Sequence, residues 1–426
     1  MNPSPGPVRG SLTDPHRTSG STALLHVHLK PAAEEAVRTG HPWVFDQGIR
    51  KQNRPGTAGE LAALYDRRNR FLGLGLYDPH SPLRVRLLHQ GTPVRVDDAW
   101  WRERLQKAAT RRAALFDSQT TGYRLVHGES DGWPGLVLDR YGPVLVLKLY
   151  TTAWLPWLES LQSWITGLFH PRNLVLRLSR NIQSLAAQRG APADGTVLHG
   201  PPLDQPVPFL ESGLTFEADV LRGQKTGFFL DQRENRRKVE SLAAGRAVLN
   251  LFSYSGGFSI YAARGGAVSV TDLDLNPHAL EAARHHFALN RPQFPNPRTT
   301  HHTIRADAFE WLNRAPAASH DLVVVDPPAL ARQAAERTAA LRAYRHLVRQ
   351  AARLVRAGGI LVACSCTAHL RPAEFFELVR ETLRHTRTRW RELCLTTQPP
   401  DHPAAFPEAE YLKAIYLQAA NQPAKP

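Results

Sequence analysis

Between residues 22 and 95 apolar and polar positions alternate in short runs. They fall at Leu61–Tyr65, Phe71–Tyr77 and Leu83–Leu88, separated by Asp-Arg-Arg-Asn and Asp-Pro-His-Ser turns, which predicts a small β domain. Asp97-Asp98 then predicts the cap of a helix running to about Leu115, with Trp100, Trp101, Leu105 and Ala108 on one face. Together with a middle segment this helix makes up residues 96–220. That segment predicts strands at Leu136–Asp139 and Val144–Leu149, a helix at Trp154–Phe169, and strands at Leu174–Leu178 and Leu214–Ala218, an α+β unit of β-β-α-β-β order. From about residue 221 to 419 strands alternate with helices. The strands are Ala247–Phe252, Ala267–Asp274, Thr303–Ala306, Asp321–Asp326 and Gly359–Cys364, which predicts an α/β domain on a mainly parallel sheet. Tyr411–Gln418 reads as a closing hairpin strand. Residues 1–21 read as a disordered tail, residues 420–426 as a second tail, and no internal repeat is apparent.

Composition narrows the partners more than the fold. A chain of 426 residues is long enough for two or three domains. The formal charge of +15, with arginine well ahead of lysine, points first to polyanions. An Arg-rich, Met-poor composition also arises from genome-wide codon bias. Three cysteines, Cys364, Cys366 and Cys394, cannot build a disulfide framework, so a reducing cytoplasm is the expected compartment. No apolar stretch approaches the roughly 20 residues of a membrane span.

The first strand of the α/β region runs into Asn250-Leu-Phe-Ser-Tyr-Ser-Gly256-Gly257. Glycines in a strand-to-helix turn let the backbone come close to a ligand. Asp274 ends the next strand, eighteen positions after Gly256, where an acid can accept hydrogen bonds from both ribose hydroxyls. Asp307-Ala308 follows the third strand, where a carboxylate suits an adenine amino group. The G-x-G-x-x-G fingerprint for a pyrophosphate is absent. A nucleoside without phosphates fits better, and S-adenosylmethionine is the common one.

Two further strands end in chemistry. One stops at Asp326-Pro327-Pro328, and about forty residues later Leu361 to Thr367 reads LVACSCT. If these strands are neighbours, the Asp326 carboxylate and the Cys366 thiol meet at one end of the sheet. Such a pair can activate a pyrimidine: the thiol adds to carbon 6 while the acid protonates ring nitrogen 3. The plainer reading of Cys366 is an inert buried thiol. Arg342, Arg345, Arg349, Arg353 and Arg356, at spacings of three and four, read as a helical stripe, which is ordinarily a solvated face.

With these motifs on the page, the chain closely resembles the bacterial large-subunit (23S) rRNA cytosine-5 methyltransferases of the RlmI type, from about Leu29 to Gln418. The likeness is carried by HPWVFDQGIR (His41 to Arg50), GELAALYDRRNRFLGLGLYDPHSPLRVRLL (Gly59 to Leu88) and YRLVHGESDGWPGLVLDRYG (Tyr123 to Gly142). It continues through GQKTGFFLDQRENR (Gly223 to Arg236), the glycine turn, Asp274, Asp307, Asp326-Pro-Pro, Cys366 and DHPAAFPEAEYLK (Asp401 to Lys413), all in family order.

The resemblance implies a class I, Rossmann-like methyltransferase domain behind a PUA-like module at 22–95 and the middle domain, both acting on RNA. It implies S-adenosylmethionine as cofactor, with Phe252, Ser253, Tyr254, Gly256 and Gly257 around its methionine part, Asp274 at its ribose, and Asp307 with Ala308 at its adenine. Cys366 would be the nucleophile and Asp326 its acidic partner beside the cofactor. Arg233 would close over the cofactor carboxylate, or else form a structural salt bridge. Arg67, Arg68, Arg70, Arg84 and Arg86 of the first module would contact rRNA. No metal and no membrane are implied, and a homodimer is left open. The chain departs from the family at Ala329-Leu330, where a relative has a lysine and an aromatic, and at Cys364, where it has an aromatic. The rival readings are methylation of a guanine or adenine nitrogen on the same scaffold, and a non-catalytic RNA-binding assembly factor. A small-molecule methyltransferase, which has no need of two basic accessory domains, ranks below both.

Overall fold

A computed structural model describes residues 24–331 and 333–421. The expected amino-terminal tail lies outside the described residues, as does the carboxy-terminal one from residue 422 onward. The chain divides into two compact units: residues 1–210 with 218–228, and residues 211–217 with 229–426.

The first unit holds two sheets. A six-stranded sheet runs in the order Trp43–Phe45, Leu83–Gln90, Phe71–Tyr77, Leu61–Tyr65, Leu25–Leu29, Ile49–Gln52. A five-stranded sheet runs Val197–His199, Asn173–Leu178, Val144–Leu149, Leu136–Tyr141, Gly122–His127. The helix Asp98–Ala113 begins where the sequence places it, because the Asp97 carboxylate accepts from the Trp100 amide at 3.0 Å. Trp101, Leu105 and Ala108 bury one face of it. One continuous apolar core takes residues from both sheets, from Leu61 and Leu76 to Leu147, Leu176 and Ile182, and five tryptophans lie in it. The expected boundary at 95/96 is therefore not a break in the core.

Two details differ from expectation for clear reasons. Thr152–Trp157 forms a 3-10 turn and the α-helix starts only at Leu158, since the Pro156 ring disfavours an α-helical backbone at Leu155. Leu214–Ala218 does not join the five-stranded sheet; it pairs with Val207–Glu211. Side chains of the helix Pro277–Asn290 take up its backbone polarity instead. Asn290 bonds both the amide and the carbonyl of Thr215, and His286 Nε2 accepts from the Glu217 amide.

The second unit is a seven-stranded sheet in the order Thr300–Arg305, Ser269–Asp274, Ala247–Leu251, His320–Val325, Val355–Ser365, Lys413–Ala419, Trp390–Thr396. The first five strands are parallel, and Lys413–Ala419 pairs antiparallel with both of its neighbours. This is a Rossmann-like α/β sheet closed by a hairpin. Its inner strands are apolar on both faces because helices cover both. The strand order reverses beside Ala247–Leu251, which marks the carboxyl ends there as the crevice for a ligand. The helix Arg337–Leu354 ends before Arg356, which lies in the next strand, so the expected arginine stripe is shorter by one residue. Among the described residues no helix is long and apolar enough to cross a membrane.

Candidate active site at the carboxyl ends of the parallel strands

The loop after Ala247–Leu251 is wound tightly. Phe252 (φ 60°), Tyr254 (φ 48°) and Gly256 (φ 78°) all occupy the left-handed region. Two of the three carry side chains, so this turn holds strain that tertiary contacts must maintain. A Cβ on Gly256 would lie 2.9 Å from Ala283 Cβ and 3.0 Å from Asp272 Oδ2, so glycine is required there. Asp272 itself is buried as a structural anchor, bonded to Asn250, Ser259 and His301. The loop's own polarity is only partly spent. The Ser253 and Ser255 hydroxyls are buried without a hydrogen-bond partner, which in a folded interior calls for one.

Asp274 faces the same loop: its Oδ2 accepts from the Tyr254 amide at 2.8 Å and its Oδ1 from the Asn276 amide at 2.9 Å. Asp307 caps the helix Ala308–Arg314, its Oδ1 accepting from the Phe309 and Glu310 amides. The Ala306 amide bonds the Asp274 carbonyl, tying the second and third strand ends together. Phe252 and Phe309 meet edge to face with centroids 6.1 Å apart. The predicted residues Phe252 to Gly257, Asp274, Asp307 and Ala308 thus gather at adjoining strand ends. The arrangement fits a nucleoside cofactor: two orphan hydroxyls, a glycine cradle, two carboxylates with unused lone pairs, and flanking rings.

The strands ending at Asp326 and Cys366 are parallel neighbours, with Val325 level with Ala363. The Cys366 thiol is partly exposed and lies 4.0 Å from the Pro327 carbonyl. One hydrogen bond joins the two loops, from the Leu330 amide to the Thr367 hydroxyl at 3.2 Å, and Tyr344 of the helix Arg337–Leu354 pairs with that hydroxyl at 2.8 Å. Ala329-Leu330 therefore sits directly against the cysteine loop. Cys364, two residues earlier, is fully buried, and burial pushes its thiol well above the usual range. A neutral packed thiol within the strand and a reachable one just beyond its end are two residues apart.

Asp326 is held from outside the strand. Gln232 donates to its Oδ2 at 2.9 Å, and Asn235 fixes the Gln232 amide oxygen at 2.5 Å. Thr396 and Tyr416 in turn bond the Asn235 oxygen. None of these four was singled out from the sequence. Gln232 and Asn235 lie inside the quoted GQKTGFFLDQRENR run, and that spacing is the signal that could have found them. Lys413 was missed as well, although it closes the DHPAAFPEAEYLK run. Its ammonium donates to the carbonyls of Thr367, Leu370 and Tyr411.

Arg233 is 2 % exposed and makes a two-pronged pair with Asp401, at 2.6 and 3.3 Å. Burial alone would raise the Asp401 carboxyl; His402 and Arg233 outweigh it and hold the group well below the usual range. Of the two alternatives for Arg233, the structure has the salt bridge.

The five arginines of the first module form two groups rather than one. Arg67, Arg68 and Arg70 lie on the turn before Phe71–Tyr77, whereas Arg86 pairs with Leu76 near that strand's other end. Those ends are separated by about 17 Å at the usual rise of a strand. Arg67, Arg70, Arg84 and Arg86 each have a carboxylate neighbour, in Glu34, Asp66, Asp46 and Glu129. Among the described residues Arg68 is the exposed one of the five without such a neighbour.

Residues 123–418 match the family described as S-adenosylmethionine-dependent methyltransferase, and residues 27–90 match the PUA-like domain. A Deinococcus radiodurans protein named ribosomal RNA large subunit methyltransferase is 53% identical over 407 residues, covering 94% of this chain and 98% of that one. A Shewanella denitrificans protein named ribosomal RNA large subunit methyltransferase I is 34% identical over 398 residues, 92% of this chain and 98% of that one. Among solved structures, a Streptococcus mutans protein described as a SAM-dependent methyltransferase superposes with TM-score 0.77 at 21% identity, over 92% of this chain and 99% of that one. The methyltransferase structure SMU.776, complexed with SAH, superposes with TM-score 0.78 at 21% identity, over 93% and 100%. These two likenesses are of fold.

Proposed function

The chain belongs to the S-adenosylmethionine-dependent methyltransferase family, and from that premise we propose that it methylates carbon 5 of a cytosine in large-subunit ribosomal RNA through a covalent Cys366 adduct. The observation that carries this reading is the pairing of Asp326 and Cys366 on neighbouring parallel strand ends, with Cys366 Sγ 4.0 Å from the Pro327 carbonyl. Nitrogen methylation of a purine has no use for that thiol. The ribosomal RNA substrate is supported by the names of the two relatives, by the PUA-like module and by the charge of +15.

When bound, S-adenosylmethionine supplies an electrophilic methyl group. Ser253, Ser255 and the strained turn through Gly256 would hold its methionine part, Asp274 its ribose, and Asp307 with Ala308 its adenine. Carbon 5 of cytosine is a poor nucleophile until a thiolate adds to carbon 6. The Cys366 sulfur forms that bond while Asp326 binds nitrogen 3 or the exocyclic amine. Carbon 5 then takes the methyl group; its proton leaves, the carbon–sulfur bond breaks, and the aromatic ring is restored with the thiolate regenerated. A thiolate suits both steps because it is a strong nucleophile and a good leaving group. Gln232, fixed by Asn235, sets the rotation of the Asp326 carboxylate and so is a positioning residue. The base must leave any helical stack to reach the strand ends, at a cost of a few kcal/mol.

Arg67, Arg68, Arg70, Arg84 and Arg86 would contact phosphates at two places on the first module, which makes binding weaken steeply with salt. Arg233, paired with Asp401, organises the loop that begins there. The cytoplasm, where ribosomal RNA is made, is the compartment this function requires. The test is bisulfite sequencing of large-subunit rRNA from cells with and without the gene. One protected cytosine should disappear, returning with wild type and not with Cys366→Ala. No change at any cytosine would overturn the reading and direct the search to a modified purine by mass spectrometry.

A further inference from the structure

Lys413 is fully buried, yet it carries an ammonium group. It stands opposite Ser365 in the antiparallel pair that Lys413–Ala419 makes with Val355–Ser365. Its three donated hydrogen bonds go to backbone carbonyls, of Thr367 at 2.6 Å, Leu370 at 2.7 Å and Tyr411 at 3.0 Å. Thr367–Leu370 is the turn that follows Cys366, closed by the Leu370 amide on the Thr367 carbonyl at 3.2 Å. Carbonyl dipoles satisfy the protons of this ammonium but do not neutralise it, and it makes no ion pair with a carboxylate among the described residues. A buried charge without a counter-charge is costly.

We propose that Lys413 is the counter-cation of Cys366: it holds the turn that follows the thiol, and its charge favours the thiolate. This rests on the reading of Cys366 as the nucleophile. The partnership is internally balanced, since ionising the thiol beside a fixed ammonium creates a neutral pair where an isolated cation stood. It also answers a difficulty of the site. Asp326, the acid at the same strand end, carries no positive charge in either protonation state and so cannot favour the thiolate.

Of the other titratable groups around the pair, His369 lies within the Thr367–Leu370 turn and Arg371 follows it, both exposed to solvent, whereas Lys413 is buried. Cys364 lies on the strand that ends one residue before Cys366, Tyr344 on the helix Arg337–Leu354, and Cys394 and Tyr416 on the two closing strands. Glu374, at the start of Pro372–Arg384, is exposed and bonded to Arg337. Burial outweighs the upward pull of Cys366 and then of Glu374, leaving the Lys413 ammonium lowered to about 8.

The experiment is alkylation of the full-length protein by iodoacetamide from pH 5 to 10, read at the Cys366 peptide by mass spectrometry. In wild type the rate should reach half its maximum below the value near 8.5 of a free cysteine. In Lys413→Met the midpoint should rise by about one pH unit or more, making the reaction roughly tenfold slower at pH 7. A wild-type midpoint at or above that of free cysteine overturns the proposal. So does an unchanged midpoint in a folded Lys413→Met protein. If that variant does not fold, the wild-type midpoint decides alone. Alkylation needs neither RNA nor S-adenosylmethionine. A Cys366→Ala enzyme that still methylated would therefore remove the nucleophile reading while leaving the measured titration intact.

Discussion

Trp101, Trp133, Trp154, Trp157 and Trp164 pack ring against ring in the amino-terminal unit, with centroids 5.1 to 6.4 Å apart, whereas the carboxyl ends of the seven-stranded sheet gather unspent polarity. Both regions are buried, and both contain groups without a conventional partner. In the tryptophan core these are the indole N–H groups of Trp101 and Trp133, set among aromatic faces that can accept them weakly. At the strand ends they are the Ser253 and Ser255 hydroxyls, two side-chain-bearing residues at positive φ, and an ammonium bonded to backbone carbonyls with no carboxylate partner among the described residues. A core tolerates a few imperfections anywhere. Several kinds of imperfection, converging on one loop cluster, mark a place built to be completed by a ligand.

That contrast can be broken most sharply at the cysteine strand. Cys366→Ala should lower methyl transfer by about 10⁴-fold or more while leaving the urea midpoint near wild type. Cys364→Ala should do the reverse: turnover kept, and a loss on the order of 1 kcal/mol from the deleted buried atoms. If Cys364→Ala were the inactive one, the assignment of packed and reactive thiols would be inverted.

In the tryptophan core, Trp101→Ala should cost about 3–5 kcal/mol of stability, measured by urea denaturation. The affinity of the folded fraction for S-adenosylmethionine should not change. A specific loss of cofactor binding there would mean that the aromatic core does more than fill space.

At the glycine loop, Asp274→Ala should weaken S-adenosylmethionine binding roughly 10- to 100-fold by calorimetry, with little change in thermal stability. Equal affinity in wild type and variant would move the ribose site elsewhere.

The smallest effect belongs to the turn carrying Arg67, Arg68 and Arg70. Burial alone would raise the Asp66 carboxyl, but bonds from the Arg70 and Arg68 amides and the Arg70 guanidinium bring it down to about 2. Its folded value lies below the unfolded one, so its stabilisation is complete above about pH 4. It is lost as pH falls through about 2. Asp66→Asn should flatten that part of the acid unfolding curve, and an unchanged curve would show that the hub contributes nothing.

Most of the scaffold was legible because its signals are local. Phe71–Tyr77, Val144–Leu149 and Leu214–Ala218 have the predicted bounds, and the Asp97 cap opens its helix. Pro156 delays to Leu158 the start of the helix expected from Trp154, and the expected arginine stripe outruns a helix that stops at Leu354. At the site, the acids at strand ends could be read from position alone. Gln232, Asn235 and Lys413 are flagged only by lying inside the quoted runs, and their roles are not legible there, because these depend on partners 94, 161 and 46 residues away. No periodicity records which distant carbonyl or carboxylate a buried amide or ammonium will meet.

The most direct test of the covalent reading is a trapping experiment. Large-subunit RNA carrying 5-fluorocytosine is incubated with the protein and S-adenosylmethionine, then run on a denaturing gel. Fluorine at carbon 5 blocks the proton loss that would release the thiol. Wild type should give a protein–RNA band that maps to Cys366 by mass spectrometry and is absent in Cys366→Ala. An active wild-type enzyme that forms no such band, or one that maps to another residue, would contradict the account.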